Sequence, residues 1–344
     1  MKLKDLTKDK TFLIAEAGDN HNGSRDLALY LCDLAKKASC DSVKFQTFIT
    51  EEVISRGTEK APYQKRKDES EDMYEMCKKL ELSFEDFKII KNYCDKIGIL
   101  FFSTPYDIRS AEFLNEIGVP FFKISSTDLN NFYLLDVIAE FKKPVIISTG
   151  MADLEEVKKT YEFLKERKVP EIAILQCTSE YPAPFDELNL KVIENFKREF
   201  KDAIIGFSDH SEGYLASCIA VSLGAKIVEK HFTLWKGLPG PDHKASLSPE
   251  ELFLWVKNIR LTEKMLGDGI KRITKSEIEV KKVARRSIYL KRNKRKGEII
   301  EKNDIVALRP IKGITPDRVF EVLGKKLKRD KKKFEPLFEE DLED

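Results

Sequence analysis

Two lysines, two histidines and a set of carboxylates and hydroxyls recur at the ends of short apolar runs, and their types point to one kind of chemistry. Glu16 ends the run Thr11–Glu16 and opens the loop Gly18-Asp19-Asn20-His21-Asn22-Gly23. Lys44 and Gln46 lie in Ser42–Gln46, Thr104 follows Ile99–Ser103, and Lys123 sits in Phe121–Ile124 with Ser126 and Asp128 behind it. Ser148 ends Val145–Ser148, while Ser179 and Tyr181 follow Ile172–Gln176. Ser208-Asp209-His210 follows Ala203–Gly206, and Glu229-Lys230-His231 ends the run that begins at Lys226. Two cations among several hydroxyls suit a small phosphorylated carboxylate, because each anionic group wants a positive charge and hydrogen-bond donors. Alone, Lys44 or Lys123 reads equally well as a snorkelling side chain. Together, each inside an apolar strand, they favour an anion site, since an interior lysine must be paired with something.

His210 and His231 end successive strands, so their imidazoles can meet. A single histidine in such a place is more often a hydrogen-bonded structural group. Two of only four histidines on neighbouring strand ends favour a shared metal. Two nitrogens leave the other coordination positions to water and substrate oxygen, which suits a Lewis acid better than a closed structural site. Asp242, in the turn-rich loop Gly237–His243, is on the right side to touch a polar ligand, although the plainer reading of that loop is a connector. No Gly-x-Gly-x-x-Gly, Walker loop or Gly-x-Ser-x-Gly elbow is present.

What must position these groups is a repeat of strand and helix. The eight runs above, the last being Lys226–Lys230, read as strands. Between them, Arg25–Lys37, Ser83–Lys96, Leu154–Lys168 and Tyr214–Leu223 carry apolar residues at helical spacing. Eight repeats predict a (β/α)8 TIM barrel, with a Rossmann-like open sheet as the lesser option. In a barrel, side chains at the carboxyl ends of the strands converge on one face. Glu51–Glu81 leaves room for an extended loop or lid. Residues 1–269 are assigned to the barrel and 270–284 to a linker within a basic helical stretch, Ile270–Arg286. Residues 285–344 form a small, mostly β domain, with strand-like pieces at Ser287–Leu290 and Ile305–Leu308. The charge run Lys325–Lys333 reads as solvated surface.

Composition excludes several classes of function. Sixty-one basic residues against 59 acidic ones leave a net charge of +2, which gives no sign of a nucleic-acid or anionic-membrane partner. No apolar run reaches the roughly 18 residues a transmembrane helix needs. The opening MKLKDLTKDK has no secretory apolar core, so a cytoplasmic location is expected. The six cysteines form no CxxC and fit buried thiols in a reducing compartment better than disulfides.

At these motifs the chain resembles the sialic acid synthase family, which makes N-acetylneuraminate, legionaminate and pseudaminate. The matching text is IAEAGDNHNGS, DSVKFQTF, FFSTPYD, FFKISSTDLNN, VIISTGMADLEE, QCTSEYPAP, GFSDHSEGY, VEKHFTLWKGLPGPDHKAS and LGDGIK. The C-terminal text ARRSIY, KGEII, DIVALRPIKGI and LGKKL is similar to the antifreeze-like SAF module. The likeness spans about residues 11 to 327. It implies condensation of phosphoenolpyruvate with an N-acetylmannosamine-type aldehyde and water, giving a nonulosonic acid and phosphate. N-acetylneuraminate synthase is the first expectation and N,N'-diacetyllegionaminate synthase the alternative.

The same resemblance implies a divalent metal, manganese first with magnesium or cobalt as alternatives, on His210 and His231. Glu16, Lys44, Lys123, Asp128 and Tyr181 would be catalytic. Gln46, Thr104, Ser126, Ser148, Ser179, Ser208 and Asp242 would bind substrate. Arg309 would arrive from the partner subunit of a domain-swapped homodimer. Three positions depart from the family pattern. Thr127-Asp128 stands where many members have Gly-Glu, Ser179 where neuraminate enzymes can carry asparagine, and Ser70, in the lid text KDESEDMYEM, where some have a sugar-binding asparagine. The competing enzyme class is a Schiff-base aldolase working through Lys123 or Lys44. A carbohydrate-binding protein is the non-enzymatic alternative.

Overall fold

Short runs of β-branched and aromatic residues form eight parallel strands: β1 (Phe12–Gly18), β2 (Ser42–Thr47), β3 (Leu100–Pro105), β4 (Phe122–Ile124), β5 (Val145–Ser148), β6 (Ile172–Cys177), β7 (Ile204–Asp209) and β8 (Ile227–His231). They are seen in a computed structural model that describes residues 1–65, 70 and 72–344, and all but the side chain of Tyr63 within them. The strand order is β3-β2-β1-β8-β7-β6-β5-β4, and β3 also lies beside β4. There Phe102 meets Phe121 edge-on, with ring centroids 4.6 Å apart. Each strand neighbours the next in sequence and the ends meet. The sheet is therefore a barrel, without the reversal of strand order that a Rossmann sheet would show. The strands are buried along almost their whole length, as a parallel sheet covered by helices requires.

Helices cover the barrel, and their starts are written in the sequence. Ser83 and Asp86 form a capping box ahead of Phe84–Ile97, as do Asp153 and Glu156 ahead of Leu154–Glu166. Ser248 and Glu251 do the same for Pro249–Leu266, where Pro249 takes the first turn. Each reciprocal pair satisfies two backbone N–H groups that the first helical turn leaves without partners. The segment expected to form a lid contains short helices at Thr50–Val53, Pro62–Lys65 and Met73–Leu80. Met76 and Leu80 pack there against Phe48 and Tyr106. Buried Ser70 accepts from Lys60 through its carbonyl (2.6 Å) and from Lys79 through its hydroxyl (3.0 Å). The other residues of the KDESEDMYEM text at 67–69 and 71 lie outside the described residues.

The chain divides into two compact units, Met1–Gly267 and Asp268–Asp344. In the second, the helix is shorter than the basic stretch predicted. It covers Glu277–Ala284 only, because Glu277 accepts from the N–H and hydroxyl of Thr274 and so starts the helix there. Antiparallel pairs β9 (Ser287–Leu290) with β10 (Ile305–Leu308), and β11 (Lys326–Leu327) with β12 (Leu342–Glu343), surround a core of Ile288, Leu290, Ile300, Leu327 and Leu337.

This unit is internally duplicated. Asp304 pairs with Arg292 and Lys294, and Asp341 pairs with Arg329 and Lys331 in the same way. Lys294 and Lys331 meet at the dyad, each donating its N–H to the other's carbonyl (2.9 and 2.8 Å). The charge run Lys325–Lys333 is therefore not simply solvated, since it contains the buried Lys331 that closes one of the two pairs. Among the described residues no helix is long and apolar enough to cross a membrane.

Candidate active site

The rim of the barrel is organised by lateral register. Glu16 on β1 lies opposite Lys44 on β2 and opposite His231 on β8, and Ser208 on β7 lies opposite Glu229 on β8. Because side chains alternate along a strand, Glu229 and His231 share the face turned to the barrel interior. Lys230 points the other way, into a buried pair with Asp209 (3.0 Å).

Four ionisable groups form the floor. Lys44 contacts Glu16 at 2.8 Å and donates to Thr104 at 3.0 Å. Lys123 donates to Ser148 (2.6 Å) and to the carbonyl of Ile124 (3.0 Å). Both ammonium groups stand 3.8 Å from Glu229 Oε1, which also accepts from Ser208 (3.1 Å). Lys44 and Lys123 are 3% and 2% exposed, so neither is the snorkelling side chain that each alone could have been.

Burial works against every charge here, and the neighbours decide the outcome. For Glu229 burial is outweighed by Lys123 and Lys44, which hold it below the usual carboxylate range. Glu16 is pushed up to about 7 by burial, with Glu229 adding to the rise and Lys44 opposing it. Burial lowers Lys123, helped by the charge of Lys44, whereas Glu16 and Glu229 overcome burial at Lys44 and raise it.

Hydroxyls ring this floor. The Ser126 hydroxyl accepts from the N–H of Gly150 (2.9 Å). A side chain at Gly150 would collide with Ser179 and Ser126, so glycine there lets the ends of β4, β5 and β6 close together. Asp128 is held by its own loop, accepting from Ser125 (2.8 Å) and Asn131 (3.0 Å). Gln46 donates to Glu16 (3.3 Å) and accepts from Tyr106 (3.2 Å).

Beside the lysines lie the two imidazoles, with ring centroids 5.4 Å apart. Tyr181 stacks on His210 at 4.1 Å and meets His231 edge-on at 5.6 Å. Nδ1 of His210 lies 2.8 Å from the Thr178 carbonyl, which makes it the donor. Burial works against its charge, but Cys177 and that carbonyl outweigh burial and raise its pKa. His231 is kept neutral, pushed well below its ordinary value by burial and then by His210. Its buried Nδ1 has no hydrogen-bond partner among the described residues, and Asp242 is 3.6 Å away. Two imidazoles side by side, one with an orphaned nitrogen, fit a divalent metal. Among the described residues no three His, Cys, Asp or Glu side chains are set to hold an ion. Such a metal would therefore take its remaining positions from water or substrate.

Thus Glu16, Lys44, Gln46, Thr104, Lys123, Ser148 and Ser208 are joined through one hydrogen-bonded and ionic network. Tyr181, His210, His231 and Asp242 make a second group beside Glu16. Arg309 is exposed at the end of the second unit's β10. In the sequence Glu229 is gathered with the strand-end groups but given no role, and Tyr106 carries none either. A role for Glu229 was within reach, because it stands two residues before His231 and so on the same face. Tyr106 lies past the end of β3 and carries no such sign.

Residues 31–271 match the NeuB family and residues 285–343 the SAF domain. The chain is 44% identical over 92% of its length to N,N'-diacetyllegionaminic acid synthase of Campylobacter jejuni, covering 95% of it. It is 36% identical over 92% of its length to human N-acetylneuraminate-9-phosphate synthase, covering 88% of that protein. The crystal structure of N-acetylneuraminic acid (sialic acid) synthetase from Leptospira borgpetersenii serovar Hardjo-bovis, in complex with citrate, superimposes with a TM-score of 0.71 at 35% identity, over 79% of this chain and 90% of that one. The barrel with its ring of lysines, carboxylates and imidazoles belongs, on these grounds, to the NeuB family of sialic and nonulosonic acid synthases, here followed by a SAF domain.

Proposed function

We propose that this chain condenses phosphoenolpyruvate with the open-chain aldehyde of an acetamido sugar of the mannose series, yielding a nine-carbon nonulosonic acid and phosphate. The observation that carries the reading is the pair of buried lysines on either side of Glu229, ringed by Thr104, Ser148 and Ser208. Two cations balanced by internal carboxylates are poised to exchange them for the carboxylate and phosphate of the substrate.

In this reading C3 of phosphoenolpyruvate bonds to the aldehyde carbon, leaving C2 electron-poor. Water adds to C2, and the tetrahedral intermediate loses phosphate by C–O cleavage. Lys44 and Lys123 offset the negative charge throughout, and Thr104, Ser126, Ser148, Ser179 and Ser208 orient it. Glu16, Gln46, Asp128, Tyr181 and Asp242 would contact the sugar, and Arg309 would do so from the partner of a swapped dimer. His210 and His231 would hold a divalent metal, manganese first, with magnesium or cobalt as alternatives. When bound, it would supply Lewis-acid polarisation of the aldehyde.

Phosphate release is the test. Phosphoenolpyruvate would be supplied with N-acetylmannosamine, its 6-phosphate, or 2,4-diacetamido-2,4,6-trideoxymannose, and no release with any sugar sinks the proposal. The higher identity to the legionaminic acid relative favours the diacetamido sugar, with N-acetylmannosamine as the second reading. One observation favours a Schiff-base aldolase, namely the lowered pKa of Lys123. Borohydride trapping with pyruvate would leave a covalent adduct only in that case.

A further inference from the structure

The loop after β1 carries a carboxylate that the proposed chemistry has not used. Gly18 adopts φ +50, and the register between β1 and β2 shifts at this point. A side chain on Gly18 would touch Gln46, His231 and Glu16 at 3.3–3.4 Å, so the backbone here runs through the middle of the candidate site. Asp19 is the next residue. Its Oδ1 is buried with no hydrogen-bond partner among the described residues, and so is Oε2 of Glu16, a residue only 1% exposed. Burial pushes the Asp19 carboxyl well above its ordinary value, and the nearby carboxylates of Asp242 and Glu16 add to the rise. Asp19 is in turn the foremost charge acting on the buried Tyr106 hydroxyl. Asp19 thus follows directly on Gly18 at the place where Glu16, Gln46, Tyr106, Asp242 and His231 are gathered by the contacts Gln46–Glu16, Gln46–Tyr106 and Asp242–His231.

A buried acceptor without a donor is costly, and natural proteins rarely keep one without use. The internal cations nearby are already committed, Lys44 to Glu16 and Thr104, and Lys123 to Ser148 and Ile124. Among the described residues none supplies the donor, which leaves water or a bound molecule to do so. Phosphoenolpyruvate is a poor candidate, because it offers acceptors and negative charge. The sugar offers hydroxyl and amide N–H donors.

Resting on the synthase reading above, we propose that Asp19 is a specificity-determining residue that accepts a hydrogen bond from a hydroxyl or amide N–H of the acetamido sugar. Its carboxyl stands with those of Asp242 and Glu16 on the sugar side of the site. A phosphate set against Asp19 would offer no donor to it, so the site prefers an uncharged sugar to one carrying a phosphate there. Selectivity of this kind belongs to a site with buried polar groups, because an ill-matched ligand leaves them unpaired.

Asp19→Ala and Asp19→Asn would be compared with the wild-type protein in phosphate release. Saturation-transfer NMR would report sugar binding without turnover. Asp19→Ala should lower kcat/KM for the neutral sugar roughly tenfold to a hundredfold. It should leave the KM for phosphoenolpyruvate within about twofold and narrow the preference for N-acetylmannosamine over its 6-phosphate. Asp19→Asn keeps an acceptor oxygen and should recover most of the loss. Unchanged sugar kinetics, or equal losses for both substrates, would overturn the proposal. Sugar binding that depends on Asp19 without any turnover would uphold it while sinking the synthase reading. A wild-type protein that neither binds nor turns over a sugar would overturn both.

Discussion

Lys123 and Lys44 face the same Glu229 oxygen at the same distance, yet their surroundings differ. Lys44 has Glu16 as a second counter-ion, whereas among the described residues Lys123 has a hydroxyl and a carbonyl acceptor besides Glu229. Lys123 is thus the less compensated cation and the more available to an incoming anion. Lys123→Ala should raise the KM for phosphoenolpyruvate at least about tenfold while changing the sugar KM little, because one charge-assisted contact is lost. Steady-state kinetics with each substrate varied in turn would check this, and equal effects would show the lysine misassigned. The imidazole pair permits a second test. Chelation should abolish phosphate release and manganese restore it, and His210→Ala or His231→Ala should lower the rate by at least about a hundredfold. Full activity in a rigorously metal-free preparation would refute the metal assignment. At this scale the sequence was a good guide to residue type and a poor one to partners. Glu229 balances both lysines, but only the closed barrel shows that three separate strands bring them together.

Among the elements, the duplicated C-terminal unit shows how a repeat can hide in a charge run. Arg292, Lys294 and Asp304 recur thirty-seven positions later, as the numbers 329, 331 and 341 show, in Arg329, Lys331 and Asp341. Each aspartate lies in the core, and burial opposes its charge. The lysine, the arginine and a backbone N–H outweigh burial and hold both carboxyls below the usual range. A pKa depressed by folding contributes stability that is fully present above the unfolded value, about 3.9, and is lost as pH falls through the lower folded value. The unit should therefore be stable at neutral pH and loosen only below about pH 4. Asp304→Asn should weaken it by about 3 kcal/mol at neutral pH, since Lys294 is then left buried and unpaired, and the difference from wild type should shrink as pH falls through the folded value. Hydrogen exchange at the amides of Leu290 and Leu327 in the full chain would read both effects. Protection that ignores both pH and the substitution would contradict the account.

For the whole molecule, the proposed swapped dimer makes Arg309 serve the partner's barrel. Arg309→Ala and Lys123→Ala variants, each strongly impaired alone at limiting substrate, should then complement one another. A mixed dimer would contain one site with both residues and one with neither. Statistical exchange would return about a quarter of wild-type activity, because half the dimers are mixed and each has one good site of two. No recovery after proven subunit exchange would rule out the trans role.

The sequence by itself determined the strand and helix repeats, the capping boxes at Ser83, Asp153 and Ser248, and the chemical types gathered at the strand ends. These are local properties, set by side-chain periodicity and by hydrogen bonds over three or four residues. Only the tertiary structure decided that β3 meets β4, that Glu229 faces both lysines while Lys230 turns away to Asp209, and that Oδ1 of Asp19 is buried without a partner among the described residues. Those outcomes depend on register between strands far apart in the chain, where a shift of one residue exchanges the inner and outer faces.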